Sequence, residues 1–169
     1  PWKGISPRIA ADAFIAPNAV LIGDIEIGPQ SSVWFNCTIR ADVHFVRIGA
    51  RTNIQDGTII HESSKPIPTL IGDDVLVGHA VILHGCTVES GSFIGMRATV
   101  MDGAVVESGA MVAAGALVGP GKRVPKGDMW GGTPARFMRK LSEAEVADLP
   151  RGAAGYVELA AQYKNDLKL

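Results

Sequence analysis

Three of the four histidines in the chain, His61, His79 and His84, fall within 24 residues of one another. Imidazole is the commonest metal ligand among side chains, and three imidazoles with an open fourth position make a catalytic zinc site. An ion held this way lowers the pKa of its water towards neutrality and so generates a hydroxide nucleophile. Imidazole also suits other transition metals, so Zn2+ is expected, with Fe2+ or Co2+ as alternatives. A single histidine in a repeat protein is more often surface or core filler, and the H-x4-H spacing of His79 and His84 is a weak motif by itself. The question is whether some element brings the three rings together.

That element is a six-residue repeat. Aliphatic residues stand at Ile9, Ile15, Leu21, Ile27, Val33 and Ile39, each six apart. Three extra residues, Phe45 to Arg47, precede a new run at Ile48, Ile54 and Ile60. A loop over roughly Glu62 to Leu70 interrupts it before Ile71, Val77 and Leu83. One residue is then lost, and the repeat continues from Val88 through Ile94, Val100, Val106, Val112 and Val118 to Val124. A helix buries every third or fourth residue and a strand every second. A period of six fits a parallel β-helix, in which each repeat is a short strand plus a corner and three repeats make one triangular coil. Roughly six coils are expected, spaced by about 4.8 Å.

Register then places the chemistry. His61 follows Ile60 and His84 follows Leu83, so the two should be neighbours on one outer strip, with Arg40, after Ile39, one coil earlier. His79 is the third residue of the Val77 repeat and stacks over Asp56 on an adjacent face. Outer faces of a prism point apart, so one subunit cannot easily gather all three imidazoles. Two subunits side by side can, with His79 supplied by the neighbour, and closing that contact gives a homotrimer with three shared sites. Gln55, Asp56, Arg40 and Asp42 would surround the same interface. Gln55 or Asp56 could hold the metal's water or orient a ligand histidine. Arg40 could pair with an acid of the next subunit or be an ordinary solvated charge.

Past Val124 the repeat fades. Ser142 and Glu145 form an S-x-x-E capping box for a short helix that Pro150 and Gly152 are expected to break. A second helix from Ala153 carries Tyr156, Val157, Ala160, Tyr163 and Leu167 on one face. The division is therefore residues 1–130 as β-helix and residues 131–169 as a connecting segment with helices packed on the same domain.

Composition limits the remaining choices. Sixteen basic and seventeen acidic residues leave no basic stripe for nucleic acid and no cationic helix for a membrane surface. Aromatics are only 6% of the chain against 47% hydrophobic, so the core is aliphatic. No apolar run nears 18 residues and PWKGISPRIAADAF lacks a signal-peptide pattern. Cys37 and Cys86 are too few for a disulfide framework. A cytoplasmic protein is expected.

The segments TIRADV, RIGARTNIQDGTIIH, VGHAVILHGC, FIGMRATVMDGA, WGGTPARFMRKLSEAE and YVELAAQY resemble the gamma-class carbonic anhydrases over nearly the whole chain. The resemblance implies an all-β, left-handed parallel β-helix of hexapeptide repeats with a C-terminal α-helix, a trimer with zinc at each interface, and hydration of CO2 to bicarbonate. It implies His61, His79 and His84 as metal ligands. Arg40 and Asp42 match intersubunit ion-pair positions, with Asp56 a further partner for Arg40. Gln55 matches the residue that hydrogen-bonds the metal's water, and Tyr156 the helix tyrosine that reaches the site. Two glutamates of the archaeal pattern are missing here. Val43 takes the place of the first, and the loop HESSKPIPT is too short for the second. Proton transfer would then fall to Glu62, His44 or buffer.

Other functions on this repeat are CoA-dependent acyl transfer, which needs one catalytic histidine rather than three, metal-assisted thioester hydrolysis, and catalytically weak metal or siderophore binding. Charge balance and low aromatic content give no support to a siderophore pocket.

Overall fold

The computed structural model describes residues 1–64 and 67–168. The aliphatic residues of the repeat line up in three columns of short parallel strands. One column carries Leu21, Ile39, Ile60, Leu83, Val100 and Val118. A second carries Ile9, Ile27, Ile48, Ile71, Val88, Val106 and Val124. The third runs Ile15, Val33, Ile54, Val77, Ile94, Val112 and Trp130. The result is a parallel β-solenoid of about 7 turns, one more than the repeat count suggests. Trp130 supplies part of the difference, because an aromatic takes the inward position after the aliphatic pattern has faded.

From Ile39 onward the inward aliphatics are buried, most of them with no exposed surface, and each stacks on its counterpart a rung away. Apolar burial of this regularity is the main stabilising term. Only the open first turn is exposed, as at Ile9. Rungs approach so closely at the corners that a Cβ on Gly72 would lie 2.5 Å from the Ser90 amide nitrogen.

Two irregularities shape the face that matters. Strand Thr38–Ile48 runs without a break beside Val20–Ile27, with Asp24 alone opposite Asp42 to Phe45. The three extra residues therefore bulge at Asp42 to Phe45, ahead of the expected Phe45 to Arg47. The next rung carries a longer excursion at the same corner, between strands Ile59–His61 and Thr69–Ile71.

The C-terminus forms one helix, Glu143–Leu167, rather than two. Its start is as the sequence predicts: Ser142 accepts the Glu145 amide, and the Glu145 side chain returns to the Ser142 amide. Pro150 lies inside it. Packing offsets the bond that Pro150 forgoes. At Gly152 the helix lies close against the solenoid, where a Cβ would lie 2.8 Å from Leu76 Cδ1. Further on, Tyr156 and Tyr163 pack edge-on against Trp34, and Tyr163 against Phe14. Among the described residues no helix is long and apolar enough to cross a membrane, which leaves β-barrels unaddressed.

Candidate metal centre

Strands Ile59–His61 and Ile82–His84 are neighbours in the first column, and His61 is the direct partner of His84. Their side chains leave the same outer face one rung apart, with ring centroids 5.2 Å apart. His61 Nδ1 stands 3.2 Å from His84 Nε2. The far nitrogen of each ring meets a carboxylate. His61 Nε2 lies 3.1 Å from Asp42 Oδ1, and His84 Nδ1 contacts Asp102 Oδ1. A carboxylate only accepts, so each of those nitrogens carries the hydrogen. With both rings neutral, the two inner nitrogens turn lone pairs towards each other at 3.2 Å, an arrangement that a shared proton or a metal ion between them satisfies.

The carboxylates are held ready for this. The Arg40 guanidinium, bound to both oxygens of Asp42, keeps that acid below its usual range, helped by His61. Asp102 is likewise lowered, first by the Ser63 hydroxyl at 2.7 Å and then by His84. Asp102 was not among the residues singled out from sequence. The signal was faint: Asp102 is the third residue of the Val100 repeat and His84 the second of the Leu83 repeat, so counting from the inward aliphatic sets Met101 over His84 instead.

His79 sits where the register puts it, over Asp56, with Nδ1 3.1 Å from Asp56 Oδ2 and nearly half of its side chain exposed. The chain does not bring it to His61 and His84. Each of the three histidines thus has one nitrogen held by an aspartate.

Glu62 is fully buried. Its Oε1 accepts the amides of Val43 and His44 at 2.7 and 3.1 Å, so it braces the bulge that carries Asp42. It exposes no oxygen through which to pass protons. His44 Nδ1 accepts the Phe45 amide at 2.9 Å, which engages the lone pair a proton would need. Asp42, His61 and Glu62 also converge within 4.8 Å. Arg40 binds both Asp42 oxygens, so within that cluster the charge of Asp42 is already met by a protein cation.

Gln55 is buried at 5% exposure, and among the described residues its side-chain amide has no hydrogen-bond partner. Tyr156 is half-buried, its ring against Trp34. On the outer face beside the histidines, Ile59 and Ile82 are exposed neighbours, with Val20 two rungs below Ile59.

No family model matches the chain. A carbonic anhydrase of Geobacillus kaustophilus is 44% identical over 164 residues, covering 97% of this chain and 90% of that protein. The mitochondrial gamma carbonic anhydrase 2 of Arabidopsis thaliana is 51% identical over 160 residues. The chain belongs to the gamma carbonic anhydrase family. This gamma carbonic anhydrase family member is 92% covered by the Arabidopsis match but spans only 58% of that relative's length. Among solved structures, a hexapeptide transferase family protein of Anaplasma phagocytophilum superposes with a TM-score of 0.93 at 44% identity, over 96% of each chain.

Proposed function

We propose that this gamma carbonic anhydrase family member hydrates CO2 to bicarbonate and a proton at metal sites shared by the subunits of a homotrimer. His61 and His84 of one subunit and His79 of the next would hold the ion, zinc first, Fe2+ or Co2+ otherwise. The carrying observation is the pair of inner nitrogens 3.2 Å apart, each on a ring whose other nitrogen meets an aspartate. Two nitrogens each 2.0–2.1 Å from one ion at a tetrahedral angle stand about 3.3 Å apart, so the donors fit almost as they are.

When bound, the ion supplies the Lewis acidity that yields hydroxide from water near neutral pH. The chain's own residues orient that chemistry. Asp42, Asp102 and Asp56 fix the three rings. Gln55 would offer its amide to the reacting water, and Asp42 holds Arg40 through both carboxylate oxygens. Tyr156 would reach the substrate from the helix. Water oxygen adds to the carbon of CO2, and the proton passes to buffer, since neither Glu62 nor His44 is placed to take it. The exposed Val20, Ile59 and Ile82 form the apolar seat for the neighbouring subunit. Cys37 and Cys86 are free and buried, in keeping with a reducing, cytoplasmic setting.

The test is stopped-flow CO2 hydration on metal-quantified protein, zinc-loaded and anaerobically iron-loaded, with His79→Ala and His84→Ala in parallel. Activity should follow metal content, rise with buffer concentration and be lost in both variants. Full metal occupancy without hydration in either form would sink the assignment and direct attention to thioesters.

A further inference from the structure

The loop between His61 and Thr69 is short, yet both of its ends reach back to the ligand strands. Thr69 Oγ1 donates to the His61 carbonyl at 2.6 Å and accepts the Gly85 amide at 3.0 Å, stapling the two histidine rungs together. Ser63, two residues after His61, donates to Asp102 Oδ2 across 39 residues of sequence. The other oxygen of Asp102 takes the Nδ1 hydrogen of His84.

The corner is built to admit this contact. Gly85 separates the participants with φ of 54°, and a Cβ there would lie 3.2 Å from Ser63 Cβ and 3.4 Å from Asp102 Oδ1. Any side chain at position 85 would crowd both residues. An aspartate two residues beyond Val100 would otherwise be an ordinary solvated acid. Here one oxygen is held by a hydroxyl and the other by an imidazole, so its plane and that of the ring are both fixed.

We infer that Ser63 and Asp102 are positioning residues for His84: the hydroxyl orients the carboxylate, and the carboxylate sets the Nδ1–H tautomer that leaves Nε2 free to ligate. Ser63 and Thr69, at the two ends of the insert, thereby brace the metal site. This rests on the metal reading for its purpose, but the tautomer can be measured without metal.

The experiment uses the full chain, metal-free, with 15N-labelled histidine at a pH where imidazole is neutral. Two-bond proton–nitrogen spectra read which nitrogen of His84 carries the hydrogen. The parent should show Nδ1 protonated. Asp102→Ala should shift His84 towards the Nε2–H form, Ser63→Ala should shift it partly, and Ser63→Thr should restore it. Zinc affinity, measured by competition with a chromophoric chelator, should fall about 10–100-fold in Asp102→Ala. Asp102→Asn serves if the alanine variant does not fold, and should show the same weakening of zinc.

A parent in which His84 carries its hydrogen on Nε2 overturns the inference, as does an unmoved tautomer in Asp102→Ala. A shifted tautomer with zinc affinity within about twofold of the parent overturns the role in ligation. A parent that binds no zinc removes the metal reading instead, while the spectra still decide the brace.

Discussion

His61 Nδ1 and His84 Nε2 face each other across 3.2 Å from adjacent rungs, and each ring turns its other nitrogen to an aspartate. Parallel stacking alone would make them neighbours. It would not make both lone pairs point at one spot. That depends on Asp42 and Asp102, which come from opposite sides of the histidine rungs, one from a bulge below and one from the turn after the strand above. The solenoid supplies spacing, and its irregular corners supply orientation.

The outer face beside these rings carries Ile59 and Ile82, exposed at 48% and 41%. Full burial of such a side chain is worth roughly 1.5–3 kcal/mol, so covering its exposed part is worth about 1 kcal/mol. Ile82→Lys should therefore weaken association by about fivefold per interface and, on the shared-site proposal, lower zinc occupancy in step. Light scattering over a dilution series with metal analysis reads both. A variant that stays trimeric and fully loaded would place the interface elsewhere.

Glu62 carries a stability prediction. Its Oε1 serves two bulge amides, and Oε2 is buried with no partner among the described residues. Glu62→Ala leaves both amides without an acceptor and should cost about 3 kcal/mol. Glu62→Gln keeps an acceptor and should cost less, about 1 kcal/mol. Urea unfolding of the two variants measures the difference, and equal costs would argue against the brace. Because the bulge carries Asp42, zinc affinity should weaken in the alanine variant as well.

Much of this was legible in the sequence because the inward aliphatic marks position directly. His61 beside His84, Arg40 one rung below and Asp56 under His79 all follow from counting sixes. The failures share a cause: counting cannot see what side chains do at corners. Phe45, Val46 and Arg47 look like an insertion because they interrupt the period, yet Val46 and Arg47 pair in register with the strands on both sides and only Phe45 belongs to the bulge. The bulge falls at Asp42 to Phe45, where buried Glu62 can bind its amides. Asp102 was hidden because it stands one position further along its repeat than His84 does. Pro150 and Gly152 read as breakers by local rules, while the helix runs through them on contacts with the solenoid that no local rule contains.

The start of that helix should answer to acid in a defined window. Arg139 binds both oxygens of Glu145, and Ser142 adds an amide and a hydroxyl. Arg139 first, then Ser142, pull the Glu145 carboxyl from an ordinary value of 4.5 down to about 2. A carboxylate with a folded pKa below its unfolded one stabilises the fold fully above the unfolded value and loses that contribution as pH falls through the folded value. The stability difference between the parent and Glu145→Gln should thus be constant from pH 7 to about 5, shrink below about 4.5 and vanish near 2. Thermal melts of the two proteins across this range check it. A difference that persists unchanged to pH 2 would assign the contribution to helix capping geometry, which glutamine shares in part, and not to the charge.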